Sequence, residues 1–298
     1  MEDPALKTRF GLPRLLSDMR RKLHASGLAA TALLASSAAR AEDLHVGLPV
    51  DVSRDGHLID HSIHYTTACI TTLFVIMVVI MVYAMIAHRE GRAKALYDHG
   101  DSRKALLFTA AVLGMVFVVV DVVELVSAYT DVSTIFWHFP DDSEVFKVEV
   151  MAQQWAWNIR LAGADGKFNT EDDIVKLNEL HVPVGKKVLL QLKSKDVIHS
   201  FYLPNMRMKQ DAVPGMITRM WFVPTTPGEW EIGCAQHCGA NHYKMRGDIF
   251  VHDEASFKAW SEDGVNDTQR RTDPNDAEAH WGWDWEGAKE GNVKEAMK

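Results

Sequence analysis

Cysteine is scarce in this chain: 298 residues hold only three. That excludes a small scaffold built on disulfides, which needs several pairs. Glycine (19) and proline (10) are too few for a collagenous or low-complexity chain. Positive charge is also in deficit, with 32 Lys and Arg against 40 Asp and Glu and a formal net charge of −8. Nucleic acid as the main partner needs a clustered basic surface and is therefore excluded, whereas a basic protein partner would suit. At ~150 residues per domain the length suggests about two units. A mean hydropathy of −0.12 looks soluble, but it averages over very uneven segments.

Arg14, Arg20, Arg21 and Lys22 precede an apolar, small-residue stretch that ends in Ala39-Arg40-Ala41. This predicts a cleaved signal peptide over 1–41, with an uncleaved amphipathic leader as the alternative. Residues 66–87 carry no charge, and residues 105–129 carry none until Asp121. Each run is long enough at 1.5 Å per residue to cross a hydrocarbon core of about 30 Å, which predicts a two-helix transmembrane hairpin within 42–130. The joining loop has Arg89, Arg92, Lys94, Arg103 and Lys104, whereas Arg54 is the one basic residue among five acidic ones over 42–61. Positive charge stays in the cytoplasm, so both ends of the mature chain are expected outside. Asp121 and Glu124 share one helix face in the outer part of the second span. Either they meet a partner subunit or a proton path, or they already lie at headgroup level, which is the simpler reading.

From residue 144 to 252 the period changes. EVFKVEV, VLLQLKS, ITRMWFV and RGDIFVH are short β-rich runs separated by Pro/Gly turns, and they predict a small antiparallel sandwich or barrel over 131–262. Residues 254–262 read as a short closing helix, and 263–298 as a polar, acidic tail. Trp281, Trp283 and Trp285 in that tail could dock on a neighbour.

The chemistry concentrates in Gly233-Cys234-Ala235-Gln236-His237-Cys238-Gly239-Ala240-Asn241-His242-Tyr243-Lys244-Met245. Two cysteines four apart can serve one centre, with His242 and Met245 following, and His199 could arrive from a neighbouring loop. Thiolate, imidazole and thioether are soft ligands that favour copper. A structural zinc or a Cys234–Cys238 disulfide remains open on spacing alone, although neither uses Met245, and a mononuclear blue copper site would leave the second cysteine surplus.

The run Cys-x-x-x-Cys-Gly-x-x-His-x-x-Met, preceded by Val-Ile-His-Ser-Phe and Lys-Gln-Asp-Ala-Val-Pro-Gly, resembles subunit II of the cytochrome c oxidases. The likeness covers roughly residues 44–260, and it implies a transmembrane hairpin followed by an all-β, cupredoxin-like Greek-key barrel with a CuA motif. It implies two copper ions bridged by Cys234 and Cys238. His199 and His242 would each bind one copper, Met245 would be a weak axial ligand, and the Gln236 carbonyl would serve the other copper. Electrons would pass from cytochrome c to haem in subunit I, where oxygen is reduced to water with proton pumping. The site would face the outer, periplasmic side of a bacterial plasma membrane. Gln153-Gln154-Trp155-Ala156-Trp157 resembles the family's aromatic patch and makes Trp155 the residue where electrons arrive, the alternative being a core tryptophan. Asp211 falls where the family has acidic residues near the cytochrome docking surface.

Three departures qualify this likeness. Gln236 stands where most relatives have a glutamate that helps bind magnesium, which leaves copper untouched and the magnesium site in doubt. The stretch Asp101-Ser102-Arg103-Lys104 offers no glutamate for proton uptake. No Cys-x-x-Cys-His follows the barrel, so a fused c-type haem is excluded and the donor is separate. The run Asp165-Gly166-Lys167-Phe168-Asn169-Thr170-Glu171-Asp172-Asp173 could bind calcium, or it could be a solvated hairpin tip. Cys69 in the first span reads as a small apolar residue. A nitrous oxide reductase would share the copper motif, but the two spans and the short length argue against it. A quinol oxidase subunit would lack the ligands.

Overall fold

The computed structural model describes residues 47–89, 99–168, 170 and 172–271. The expected signal segment and the Trp281–Trp285 run lie outside these residues, as does part of the basic joining loop.

Two helices match the two apolar runs, α1 (Gly56–Ala87) and α2 (Arg103–Phe136), and both are long and apolar enough to cross a membrane. Each is longer than its apolar run. The sequence signal marks the lipid-exposed part, while the polar extensions are helical because they meet protein. The Ser62 hydroxyl of α1 donates to the Glu124 carboxylate, and the Tyr65 hydroxyl donates to the Val119 carbonyl. Val119 lies in a π-helical stretch, Phe117–Val122, where the wider turn re-aims the side chains of α2. Glu124 thus turns towards α1, whereas Asp121 is exposed.

Among the described residues ten strands follow, in two five-stranded sheets ordered β3-β2-β1-β5-β8 and β4-β10-β9-β6-β7. The strands are β1 (Val145–Gln153), β2 (Ala156–Leu161), β3 (Ile174–Leu177), β4 (Glu179–Pro183), β5 (Lys187–Ser194), β6 (His199–Leu203), β7 (Met208–Ala212), β8 (Thr218–Phe222), β9 (Gly228–Cys234) and β10 (Arg246–His252). All four runs picked out in the sequence are strands. The purely antiparallel expectation is corrected: β1 runs parallel to β5, and β10 runs parallel to β4. β5 pairs parallel with β1 on one edge and antiparallel with β8 on the other, so the direction is set by the path of the chain between the strands. Val188, Leu190 and Leu192 face the core between the sheets, while Leu189 on the other face packs with Trp221 and Val223.

Val148, Val150, Trp157, Ile159, Phe201, Ile232 and Ile249 fill the space between the sheets, all fully buried. Val52, which precedes α1, joins the same core at 1% exposure. The helix α3 (Glu254–Arg271) closes one end. It runs nine residues beyond the expected end at Glu262, because tertiary contacts override weak propensity. Trp260 stacks on His181 at 4.0 Å, and a Cβ at Gly264 would lie 3.1 Å from Ile174. The Thr268 hydroxyl accepts from the Val175 N–H. Asp253 caps the helix start by accepting from the Ser256 N–H at 2.9 Å.

Candidate metal centre

The site is assembled from two strand ends and one loop. β6 opens with His199 and β9 ends with Cys234; the two strands are hydrogen-bonded neighbours, with Phe201 opposite Cys234. The chain then loops through Gln236 and Cys238 and makes a short 3-10 turn at His242–Lys244. It enters β10 just after Met245. The loop can approach the barrel closely because residue 239 is glycine. Its φ is +116°, and a Cβ there would lie 2.8 Å from the Gln154 amide and 3.2 Å from the Trp155 ring.

All six predicted ligands converge. The two sulfurs of Cys234 and Cys238 are 3.8 Å apart, and both residues are free thiols, so the disulfide alternative is not what this fold holds. His242 Nδ1 lies 3.6 Å and Met245 Sδ 3.8 Å from the Cys238 sulfur. His199 Nδ1 lies 3.2 Å from Met245 Sδ. The Gln236 carbonyl accepts from the Cys234 thiol at 3.2 Å. Among the described residues, His199, Cys234 and Cys238 form the one group of three His, Cys or acidic side chains compact enough for a metal ion. A thioether turned into that group has no use in a zinc site and suits copper.

The charges are arranged for a cation. Burial raises the Cys234 thiol, but hydrogen bonds from His199 and from neighbouring backbone outweigh it and bring the pKa down to about 6. Burial pushes Cys238 up to about 12, and the adjacent Cys234 adds to this. One thiolate therefore forms easily, while the second proton leaves when a metal takes its place. Burial lowers the His199 pKa, but bonds to Cys234 and Asp196 outweigh that and raise it.

Asp196 is a residue the sequence reading passed over, although it lies in the Asp-Val-Ile-His-Ser-Phe run. Its Oδ1 accepts from His199 Nε2 at 2.8 Å and from the Val197 N–H at 2.6 Å, and its Oδ2 accepts from the Gln154 N–H at 2.7 Å. Burial opposes its charge, but these bonds win and hold its pKa below the usual carboxylate range. An ionised carboxylate only accepts, so Nε2 of His199 carries a proton and Nδ1 is the nitrogen left for a metal.

Trp155 stands at the turn before β2, half-buried, and its indole N–H donates to the Cys238 carbonyl at 3.2 Å. The Gln154 amide donates to the same carbonyl at 2.8 Å. Trp157 is the core tryptophan, fully buried edge-on to Phe201 with ring centres 4.9 Å apart. Asp211 is exposed on β7, opposite Ser200 in register. Val197, Ile198 and Tyr243 present exposed apolar surface beside the ligands.

The acidic loop uses its carboxylates locally. Asp165 accepts from the Lys167 N–H, and Asp172 accepts from the Thr170 hydroxyl and the Asp165 N–H. Phe168 lies over the Arg160 guanidinium at 5.2 Å. Arg160 in turn donates to the buried Glu149 at 2.8 Å. The loop therefore covers a buried ion pair on the outer face of β1 and β2. Asn169 and Glu171 of this loop lie outside the described residues.

A family profile described as "Cytochrome C oxidase subunit II, periplasmic domain" matches residues 146–251. The "Alternative cytochrome c oxidase subunit 2" of Bradyrhizobium diazoefficiens is 33% identical over 232 residues, covering 68% of this chain and 79% of that protein. The "Cytochrome c oxidase subunit 2" of Thermostichus vulcanus is 41% identical over 113 residues, 38% of this chain and 32% of that protein. Among solved structures, the periplasmic domain of cytochrome oxidase subunit II from Bradyrhizobium japonicum is 26% identical, with a TM-score of 0.37. That match covers 41% of this chain and 94% of that one.

Proposed function

The chain belongs to the cytochrome c oxidase subunit II family, and from that premise we propose that it is the electron-accepting subunit of a bacterial haem–copper oxidase. It takes electrons one at a time from a cytochrome c on the outer side of the plasma membrane. It passes them to haem in subunit I, where oxygen is reduced to water with proton pumping. The observation that carries this reading is the convergence of two free thiols, two imidazoles and a thioether, each within 3.8 Å of another, at one end of a rigid barrel.

Cys234, Cys238, His199, His242, Met245 and the Gln236 carbonyl would hold the copper pair. When bound, the copper pair supplies reversible one-electron chemistry. The protein's contribution is to keep the donors still. β6, β9 and β10 fix the ends of the site, and Asp196 fixes the His199 ring. Gln154 and Trp155 hold the Cys238 carbonyl. Ligands that do not move between redox states keep the barrier to electron transfer low. Trp155 is where electrons arrive, because its half-exposed ring is hydrogen-bonded directly to a ligand residue. Val197, Ile198 and Tyr243 give a donor protein an apolar contact, and Asp211 steers a basic one. The Gln236 side chain is neutral and exposed, which speaks against magnesium at this residue.

The helices α1 and α2 anchor the subunit beside its partner subunits, with the barrel outside. A nitrous oxide reductase is disfavoured by these two helices and by the family. The test is copper counting with electron paramagnetic resonance on the copper-loaded chain. Two coppers per chain with a delocalised mixed-valence signal are expected; a single copper, or zinc alone, would refute the dinuclear reading.

A further inference from the structure

The barrel is attached to α1 twice, by bonds of different kinds. The first attachment is backbone. The Val52 N–H donates to the Asn205 carbonyl and the Arg54 N–H to the Val223 carbonyl, each at 2.9 Å, and the Thr225 N–H donates to the Val52 carbonyl at 2.8 Å. These bonds stitch the residues before α1 to the barrel, but they end where the helix begins. Alone they would act as a pivot and leave the tilt of the barrel on the helix open.

The second attachment is Arg207. It sits in the tight turn between β6 and β7 with φ +57°, a left-handed conformation that an arginine adopts only at a free-energy cost. Its Nη1 donates to the Pro204 carbonyl at 2.6 Å, which steadies the side chain across its own turn. Nε and Nη2 then grip both oxygens of Asp60 at 2.6 and 3.0 Å. The guanidinium is 6% exposed and the carboxylate 19%. Asp60 is one helical turn into α1, about 6 Å along the axis from Gly56. A fork on a carboxylate fixes direction as well as distance. On the α2 side, Ile135 and, just past the helix, Phe139 pack on Leu189, Trp221 and Val223, with the Arg219 guanidinium 4.6 Å over the Phe139 ring; none of these is a hydrogen-bonded fork.

We infer that Arg207 is a positioning residue for electron delivery: with Asp60 it latches the copper-bearing barrel to the first membrane helix and sets its orientation towards the acceptor haem. This rests on the functional reading above. The turn that carries Arg207 joins β6, whose first residue is His199, to β7. The latch therefore acts on the same hairpin that supplies a ligand, from the opposite end of β6.

The test separates arrival of the electron from its departure, in the purified oxidase complex. Arg207→Gly removes the guanidinium and places a residue at ease with that backbone; Asp60→Asn leaves the barrel untouched. In both, transfer from reduced cytochrome c to the copper centre keeps its wild-type rate and the copper spectrum is unchanged. Onward transfer to haem slows by about tenfold, as expected when two reacting centres are slightly misplaced. Arg207→Asp combined with Asp60→Arg restores it, since aspartate tolerates the left-handed turn. In the metal-free full chain in nanodiscs, amide hydrogen exchange over 52–60 and 204–208 speeds up in either single variant. Wild-type onward transfer and exchange in both single variants would overturn the inference, and so would equal slowing of both transfers. A wild-type chain with no dinuclear copper signal would instead sink the functional reading, and the exchange measurement would still decide whether the latch exists.

Discussion

Replacing Asp196 by asparagine should weaken copper binding about 10- to 100-fold, the range seen when a partner of a metal-bound histidine is removed. The carboxylate is ionised and accepts three hydrogen bonds of 2.8 Å or less, from His199, Val197 and Gln154. Asparagine has one accepting oxygen. If that oxygen takes the Oδ1 position and serves His199 and Val197, the new amide N–H group faces the Gln154 N–H, donor against donor. If it turns round, His199 loses its acceptor and the ring is free to rotate or to change tautomer. Hydrogen bonds to a charged group contribute about 1.5–3 kcal/mol each, so the metal-free protein should lose about 2–3 kcal/mol. The copper-bound form should lose about 1–3 kcal/mol more, which is the affinity change restated. The assay is copper titration against a competing chelator, with urea unfolding of the metal-free protein beside it. Asp211→Asn serves as the control, because that side chain is exposed. Unchanged affinity and unchanged stability in the Asp196 variant would refute the claim that this carboxylate sets the His199 ring.

Cys238→Ser should abolish the dinuclear signal and stop cytochrome c oxidation by the complex, and normal oxidation would contradict the ligand assignment. Trp155→Phe should leave the copper spectrum intact and cost under about 1 kcal/mol of stability, because Gln154 still donates to the Cys238 carbonyl. The same change should slow electron arrival, and loss of the copper spectrum would make Trp155 structural instead. The His181 imidazole, buried against Trp260 and Phe250, is pushed down by burial to a pKa of about 3. The unfolded chain therefore binds the extra proton below its own pKa of about 6.5, and the stability due to this residue falls as pH drops through that value. Between about pH 7.5 and pH 5 wild type should lose about 2 kcal/mol more than His181→Phe, and parallel pH curves for the two would contradict the burial argument.

Much of the site was legible because its chemistry lies in one loop. Cys234, Gln236, Cys238, His242 and Met245 fall within twelve residues, and their types and spacing alone point to a soft metal. His199 was legible through its short run and through resemblance, since nothing in spacing says which upstream strand lies beside Cys234. Asp196, Gln154 and Gly239 were not singled out. Asp196 and Gln154 act through backbone and ring hydrogen bonds across 42 and 84 residues of sequence, and Gly239 acts by the absence of a side chain. The apolar spans were plain, but the polar helical ends at Gly56 and Phe136 were not, because protein contacts rather than lipid hold them. The same reason hid the second half of α3. Its polar run from Asp263 reads as tail, and the contacts of Gly264, Asp267 and Thr268 with Ile174, Lys176 and Val175 are what extend the helix. The parallel pairing of β1 with β5 needed a chain path that no local pattern encodes.

Val52 carries one more consequence. It is packed into the same core as Val148 and Ile249, yet α1 and α2 lie between it and them in sequence. A core cannot be shared across a lipid bilayer, so whatever precedes α1 and whatever follows α2 must end on one side. The chain must then cross an even number of times. A single crossing would strand Val52 and the bonds of residues 50–54 away from the barrel, leaving Asn205 and Val223 without those partners. Membrane topology is thus written into the packing of the extramembrane fold by parity, apart from any count of charges in the loops. An insertion that left one helix out could not complete the barrel that is meant to hold the metal.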